Sequence, residues 1–334
     1  MIDLDSHLME PRDYLAKFAP STLIEALTLH GAPSRDVIAS GDGGQWSTRG
    51  AFDRAERITV LDAFGIDQQI VLPGISHVAH LGTSVVVESA RAQRRAALAW
   101  ADDDPRFVPV AIAPIDDAAS AVQLIEEAAA AGCRAVLMTT GHATPTSPTD
   151  AQQSTVWDAL RDTGLIGVLH FGTTGSGLPD AWRTGPAGAA DAADAIDVVI
   201  AHHGAEAVLA RMALSGLLAG PTPPRLLIAE HGASWLPGLC TSLDACQRAF
   251  RSLDPTIPQA EPLSIQLCRA VTVVPFIFEP VGDLIDRIGD DVLSFGTDHP
   301  HPEGGKDPIR SFTTALGNRD PSAFFDRNAQ RLLG

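Results

Sequence analysis

Eight short apolar segments recur along this chain, and each is separated from the next by enough residues for a helix. No other feature of the sequence narrows the possible folds as much. Apolar residues on both faces of a short segment are typical of parallel strands that are covered by helices. The segments lie at residues 2–4, 69–72, 107–111, 134–138, 166–169, 226–229, 271–274 and 292–295.

Alanine-rich stretches between these segments carry apolar residues at spacings of three and four, as on one face of a helix. They lie at residues 86–101, 120–131, 155–163 and 205–218. The length of 334 residues fits two average domains or one α/β barrel, but the composition does not change along the chain. We therefore predict an α/β fold, a single (β/α)8 TIM-type barrel over residues 1–334. A doubly wound open sheet gives the same alternation and is the alternative.

Two stretches interrupt the alternation of strand and helix. Residues 31–55 are rich in Gly, Ser and Asp, and residues 172–194 are rich in Gly, Thr, Ala and Pro. We predict loop insertions at both places. In a barrel, loops at the carboxyl ends of the strands surround the active site, so these insertions are expected to shape substrate selectivity.

The formal net charge of −17 disfavours binding to polyanions, so neither a nucleic acid nor an anionic membrane surface is an expected partner. The N-terminus has no basic flank or apolar leader, and no apolar run reaches about 18 residues. We predict a cytoplasmic protein that acts on a small molecule. The segment Trp235-Leu236-Pro237 and the alanine-rich helices offer surfaces for a homo-oligomer.

The cysteines form no CxxC pair, which argues against a disulfide framework or a zinc knuckle and predicts core thiols. The chain also lacks a glycine-rich phosphate loop and a GxSxG nucleophile motif, so no organic cofactor is indicated. The four cysteines are Cys133, Cys240, Cys246 and Cys268.

Imidazole and carboxylate side chains stand just after several predicted strands. A divalent metal needs several such ligands at one point, and the carboxyl rim of a barrel brings together residues that are distant in sequence. The recurrence of these groups therefore predicts a metal site. The residues are Asp5, His7, His170, Glu230, His231 and Asp298.

Asp5 and His7 are two residues apart, so in an extended segment both side chains lie on the same face and can reach one ion. Taken alone, the triplet also fits an Asp turn beside a solvated His, and a helix cap would explain Asp298. Their positions at the ends of the first and eighth strands favour the metal site.

Several motifs together resemble the amidohydrolase-related family, also called amidohydrolase 2. This family contains aminocarboxymuconate semialdehyde decarboxylase and the resorcylate-type decarboxylases as well as hydrolases. The resemblance spans nearly the whole chain. The segments that carry it are residues 5–11, 104–107, 229–237, 296–304 and 328–334.

The resemblance implies metal ligands on strands one, five and eight, which fall here on Asp5, His7, His170 and Asp298. It also implies catalytic roles for Asp298 and for His231 of strand six, the latter as an acid/base or orienting group. Asp5 departs from the HxH pair of the family. Zinc or manganese is the expected metal, with iron, including a pair of irons, as the alternative.

The only lysines are Lys17 and Lys306, and neither lies on strand four. Since the dinuclear hydrolases of the wider superfamily bridge their metals with a carboxylated lysine there, that type of bridge is excluded. One metal remains, or a pair bridged by carboxylates. Glu10, His203 and Glu230 are the candidates for a second metal or for support of the first.

Four further residues near these motifs have expected roles. His299 and His301 stand beside prolines and are predicted to be loop residues and not ligands. Arg12 and Arg54 lie in or near the first loops and are candidate anchors for a substrate carboxylate.

The predicted function is hydrolysis or non-oxidative decarboxylation of a small carboxylate, amide or ester. The first alternative is a non-heme (di)iron monooxygenase on the same barrel in a biosynthetic pathway, because carboxylate-rich ligand sets also suit iron. The second alternative is a barrel without catalytic activity, which predicts no stoichiometric metal.

Overall fold

The computed structural model of the chain describes residues 1–27, 32–74, 83–115, 117–139, 147–171 and 195–334. Its centre is an eight-stranded sheet in the order β1-β3-β4-β5-β6-β7-β8, in which β2 also pairs with β3. Every pairing is parallel. The strands are β1 Ile2–Asp3, β2 His7–Leu8, β3 Gln68–Pro73, β4 Phe107–Pro114, β5 Ala135–Thr139, β6 Ile166–His170, β7 Leu226–Ala229 and β8 Val271–Val273.

The predicted eighth strand, residues 292–295, closes the sheet without forming a regular strand. Leu293 makes an isolated parallel bridge to Val273. On its other side, the N–H of Leu4 donates to the carbonyl of Phe295 at 3.0 Å. The segment therefore lies between β8 and the first strand, and the curled sheet with its outer helices is the predicted (β/α)8 barrel. The prediction of a full strand at 292–295 is wrong. The backbone of this segment pairs with β8 and with the first strand at only a few points.

Helices separate the strands and cover the outside of the barrel, as the alanine-rich stretches predict. None of the described helices has both the length and the apolar character needed to cross a membrane. The helices are α1 Ser21–Leu27, α2 Arg35–Ser40, α3 Arg54–Phe64, α4 Thr83–Ala101, α5 Ala118–Ala130, α6 Ser154–Thr163, α7 Ala195–Ile200, α8 His202–Leu214, α9 Leu236–Phe250, α10 Leu263–Ala270, α11 Val281–Ile288, α12 Pro308–Leu316 and α13 Asn328–Leu333.

The insertion predicted at residues 31–55 contains regular structure. It includes α2, a 3₁₀ helix at Gly44–Ser47 and the start of α3. Ser34 caps α2 by accepting a hydrogen bond from the N–H of Val37, and Gly41 ends it in the left-handed conformation at φ 82°. The many Gly, Ser and Asp residues of this segment therefore cap and connect short helices. Residues 172–194, the second predicted insertion, lie outside the described residues.

The strands form an apolar interior in which small residues permit close packing. Ala135, Val136, Ile166 and Val168 are all fully buried. A Cβ placed on Gly167 of β6 would lie 2.7 Å from the sulfur of Met138 on β5, so a larger residue there would displace the neighbouring strand.

The prediction of core thiols holds for Cys133 alone. Cys133 is buried, whereas Cys240, Cys246 and Cys268 are partly exposed. The Sγ atoms of Cys240 on α9 and Cys268 on α10 are 3.9 Å apart. The thiols were predicted to be buried because the surrounding residues have the pattern of amphipathic helices. These three thiols lie near the border of the apolar face of their helices, so they remain partly exposed.

A buried polar network joins the two ends of the chain where the barrel closes. Asp3 is fully buried and accepts hydrogen bonds from the Thr297 N–H at 2.9 Å and the Thr297 hydroxyl at 2.6 Å. It also accepts from Gln69 at 2.7 Å. Burial raises the pKa of Asp3 to about 6, although these hydrogen bonds oppose the shift. Arg57, also fully buried, donates to Gln69 at 2.9 Å and to the carbonyl of His7 at 2.6 Å.

Replacement of Thr297 by Val tests this network. The variant keeps the shape but removes the hydroxyl donor from a buried carboxylate, so we expect the free energy of unfolding to fall by about 1–3 kcal/mol. Thr256→Val is the matched control, because Thr256 makes the same type of bond to Asp254 at 2.5 Å on the exposed surface. We expect it to change stability by less than about 0.5 kcal/mol. Equal losses of stability in urea unfolding of the two variants would contradict the assigned role of Asp3.

Candidate metal centre

The candidate ligands lie at the carboxyl ends of the strands, as predicted. Parallel strands of a barrel end at one rim, so side chains from different strands meet there. Asp5 stands between β1 and β2, His7 begins β2 and His170 ends β6. Glu230 follows β7 directly, and Asp298 follows the closing segment.

The structure brings all four predicted ligands together around His7. Its Nε2 lies 3.5 Å from Oδ1 of Asp5 and 3.4 Å from Oδ1 of Asp298. Nε2 of His170 lies 3.8 Å from the same Asp5 oxygen. Ligands bonded to one ion at about 2.0–2.2 Å are separated by distances of this order. The arrangement therefore has the spacing of a metal site.

The burial of these atoms also fits a cation. Asp5 is 2% exposed and His7 is 5% exposed. Within the part of the chain that the structure describes, Oδ1 of Asp5 and Nε2 of His7 have no hydrogen-bond partner. A buried polar atom without a partner is costly, and a bound cation would satisfy both atoms. Imidazole and carboxylate ligands together suit zinc, manganese and iron.

Two further side chains complete the cluster. Glu230 was predicted as a candidate for a second metal, and its Oε1 lies 3.6 Å from Nε2 of His7. Nδ1 of His301 lies 2.9 Å from Asp298 and 3.1 Å from Glu230, and its ring stacks on His7 at 4.2 Å. His301 lies in a loop, as predicted, but its side chain also reaches the cluster. A turn in which the His301 N–H donates to the Asp298 carbonyl at 2.8 Å returns its side chain to the cluster.

Two of the clustered carboxylates have a backbone conformation that is rare for their residue type. Glu230 has φ 53° and Asp298 has φ 54°, both in the left-handed region. Each such residue costs about 1–3 kcal/mol unless its surroundings hold it, and such strain concentrates at functional sites. Both residues directly follow the strand segments that carry them to the rim. The strain therefore supports a functional role for these two carboxylates.

Without a metal, the side chains of the cluster shift one another's pKa values. Burial opposes protonation of His301, but Asp298 and Glu230 outweigh this effect and raise its pKa to about 11. Burial and repulsion by Glu230 raise the pKa of Asp298 to about 6. Glu230 itself stays ionised, because neighbouring imidazoles outweigh its burial and lower its pKa. The carboxylates thus attract protons in the absence of a metal, and a divalent cation would replace them.

His231, the predicted acid/base, lies beside the cluster as a neutral imidazole. It is 2% exposed, and its Nδ1 donates to the carbonyl of Ala201 at 2.6 Å. Burial lowers its pKa to about 4. Among the described residues its Nε2 has no hydrogen-bond partner. At neutral pH this nitrogen is therefore unprotonated and can accept a hydrogen bond.

Glu279 holds the segment that follows His231. Its buried carboxylate accepts hydrogen bonds from the backbone N–H groups of Ala233, Ser234 and Phe276 at 2.7–3.0 Å. It thereby links the loop after β7 to the loop after β8. No sequence signal marked this role, because it depends on a contact between two loops that are more than 40 residues apart.

The remaining predicted residues lie apart from the convergent ligand atoms. His203 is exposed, and Arg12 is exposed and donates to a backbone carbonyl at 3.3 Å. Arg54 pairs with Asp102 at 2.8 Å near the amino end of β4, so its predicted role as a substrate anchor is not supported. Glu10 is 4% exposed, but it belongs to neither group of convergent metal ligands found among the described residues.

Comparisons with known proteins cover almost the whole chain. The family model described as amidohydrolase matches residues 2–334. No curated protein matches the chain.

Solved structures share the fold at low sequence identity. An amidohydrolase from Mycobacterium avium subsp. paratuberculosis K-10 is 20% identical with a TM-score of 0.76, and the match covers 100% of this chain and 98% of that one. The 5-carboxyvanillate decarboxylase of Sphingomonas paucimobilis is 17% identical, with a TM-score of 0.72 and coverage of 100% and 98%. A 5-carboxyvanillate decarboxylase from Novosphingobium aromaticivorans, complexed with manganese, is 17% identical with a TM-score of 0.67 and coverage of 99% and 95%. At these identities the likeness concerns the fold.

Metal binding provides the first test of the centre. We expect His7→Ala and Asp298→Ala each to weaken the binding of Zn²⁺ or Mn²⁺ by at least about tenfold, because even residues that only support a ligand contribute this much. Binding is measured by plasma mass spectrometry after dialysis against buffered metal. Arg54→Ala is the control and is expected to bind as the unmodified protein does. Unchanged binding in both ligand variants would exclude the assigned site.

Proposed function

The chain belongs to the amidohydrolase family, and on this premise we propose that it is a metal-dependent enzyme that hydrolyses or non-oxidatively decarboxylates a small carboxylate, amide or ester. One observation carries the proposal. Buried carboxylate and imidazole atoms from distant parts of the chain converge at the carboxyl rim of the barrel, where barrel enzymes have their active sites.

In this proposal Asp5, His7, His170 and Asp298 hold the catalytic ion. Zinc or manganese is favoured, and the manganese complex of a structurally similar decarboxylase supports manganese. When bound, such an ion polarises a substrate oxygen and makes water more acidic.

His231 moves a proton in either reaction. Its Nδ1–H is committed to the carbonyl of Ala201, so its Nε2 is the nitrogen that would take up a proton. In hydrolysis this would be the proton that Asp298 removes from water, which His231 would pass to the leaving group. In decarboxylation it would be the proton of a substrate hydroxyl, which His231 would later return. The hydrogen bond also fixes the ring, and Glu279 holds the segment that follows it.

The two reactions require different protonation states of Asp298. In hydrolysis its carboxylate takes the proton of the water that attacks the acyl carbon. In decarboxylation its protonated carboxyl donates to the carbon that loses carbon dioxide. In the absence of a metal, burial and the nearby Glu230 raise the pKa of Asp298 to about 6, and a bound cation would favour its ionised form again.

Arg12 remains the candidate for binding a substrate carboxylate. It lies on the segment that follows β2, on the same side of the barrel as the cluster. Its Nε donates to the carbonyl of Ala32, and a guanidinium carries further N–H donors that suit a carboxylate.

A second candidate function is oxygenation by a non-heme iron or diiron centre. The specific observation in its favour is the size of the ligand set, since Glu230 and His301 add to the four predicted ligands. Carboxylates and imidazoles in these proportions suit iron. Oxygen consumption by the iron-loaded protein would favour this reading over the first.

Activity can be tested with His231→Asn. We expect kcat to fall by about 10²–10⁴-fold while the bound metal is unchanged, since loss of a general acid or base has this effect. The assay follows carbon dioxide release from hydroxylated aromatic and unsaturated acids, and acid release from amides and esters, with Mn²⁺ or Zn²⁺ present. His203→Asn serves as the control on an exposed histidine. Full activity of His231→Asn would remove His231 from the mechanism, and failure of every substrate would favour a barrel without these activities.

A further inference from the structure

We infer that Cys240 and Cys268 form a reversible redox-modification site, at which a low-molecular-weight disulfide that carries carboxylates oxidises the two thiols to an internal disulfide. Cys240 lies on α9 and Cys268 lies on α10. Among the described residues, neither thiol belongs to a group of convergent metal ligands. The site is therefore independent of the proposed function.

The two sulfur atoms are close enough to bond after a small movement. They lie 3.9 Å apart on two helices that pack against each other. A disulfide bond is about 2.05 Å long, so the sulfur atoms must approach by about 1.9 Å. Rotation about the Cα–Cβ bonds moves a sulfur atom by distances of this order. The bond can therefore form without separation of the helices.

A cavity gives a reagent access to both thiols. It lies between α9, α10 and α11, has a volume of about 700 Å³ and is lined by Cys240 and Cys268. Both side chains are partly exposed. Cavities of about 300–1,000 Å³ accommodate drug-sized ligands. One half of a molecule such as glutathione disulfide therefore fits beside the thiols.

The hydrogen bond between the thiols determines which sulfur reacts first. When the Cys268 thiol donates to the sulfur of Cys240, it stabilises the thiolate and lowers the pKa of Cys240. The same bond and burial raise the pKa of Cys268. Because the thiolate is the nucleophile, Cys240 attacks the reagent and Cys268 completes the exchange.

The small disulfide is the only oxidant that the reaction needs. The Cys240 thiolate attacks one sulfur of the reagent, which forms a mixed disulfide and releases one small thiol with the proton that Cys240 gave up. Cys268 then attacks the sulfur of Cys240, and the second small thiol leaves with the proton of Cys268. The protein loses two electrons, and the reagent gains them.

The charged side chains of the cavity wall favour a reagent with carboxylates. Arg287 lines the cavity, is exposed and forms no ion pair within the part of the chain that the structure describes. It is therefore free to bind a carboxylate of the reagent. The other charged side chains of the wall have partners, and these pairs are Arg269 with Glu261, Arg331 with Asp291 and Asp244 with Ser264.

Thiol exchange with the reduced full chain tests the site. The protein is incubated with glutathione disulfide, its intact mass is measured, and its peptides are mapped after alkylation of the remaining thiols. We expect a product that is lighter by two hydrogens, with Cys240 and Cys268 in one cross-linked peptide, and reduction by dithiothreitol restores the original mass. In Cys268→Ser the reaction is expected to stop at a glutathionyl adduct on Cys240.

Cys246→Ser is the matched control, because Cys246 is a partly exposed thiol of the same helix that does not line the cavity. We expect this variant to form the cross-link as the unmodified protein does. In Cys240→Ser we expect Cys268 to react at least about tenfold more slowly than Cys240 reacts in Cys268→Ser. Absence of the Cys240–Cys268 peptide from the folded unmodified protein overturns the site, and so does a product that remains a mixed disulfide.

Two reagents of opposite charge test the role of Arg287. In Arg287→Gln we expect the cross-link to form about two- to threefold more slowly with glutathione disulfide, which corresponds to the loss of one surface ion pair. With the cationic disulfide cystamine the rate should not fall. Equal slowing with both reagents, or an unchanged rate with glutathione disulfide, overturns the assigned preference for carboxylates.

Discussion

Closure of the sheet between its first strand and residues 292–299 is the constraint on which the candidate centre depends. The N–H of His7 donates to the carbonyl of His299 at 2.7 Å, and Asp3 binds both the N–H and the hydroxyl of Thr297. These contacts place the two ends of the chain side by side. Asp5 and His7 come from one side of this junction, and Asp298 comes from the other. Without closure, these candidate ligands would not converge.

The structure separates an apolar interior from a polar rim. The strands bury alanine and branched aliphatic residues, whereas their carboxyl ends carry carboxylates, imidazoles and two strained left-handed backbones. Such a concentration of buried charge and strain lowers stability. The fold can retain this buried charge and strain at one rim if a bound cation compensates the charge. A cation that binds at this rim would therefore also stabilise the fold.

Sequence reasoning located the candidate ligands whose positions follow from strand periodicity. Asp5 and His7 share a face because they are two residues apart, and His170 ends an apolar strand. It did not anticipate that the side chain of His301 reaches the cluster through a turn, or that Arg54 pairs with Asp102 of a distant loop. It also missed Glu279, which joins two loops. Each failure concerns a contact set by loop geometry, for which the sequence has no periodic signal.

The sequence by itself determined the alternation of strands and helices, the parallel barrel and the rim at which chemistry takes place. Strand segments that are apolar on both faces and regularly spaced along the chain are compatible with few other folds. Only the tertiary structure decided which side chains converge. The two oxygens of Glu230 face different imidazoles, and His301 joins them, because a left-handed turn and a closing segment bring together residues about 70 positions apart. Such distances are set by packing and not by local preference.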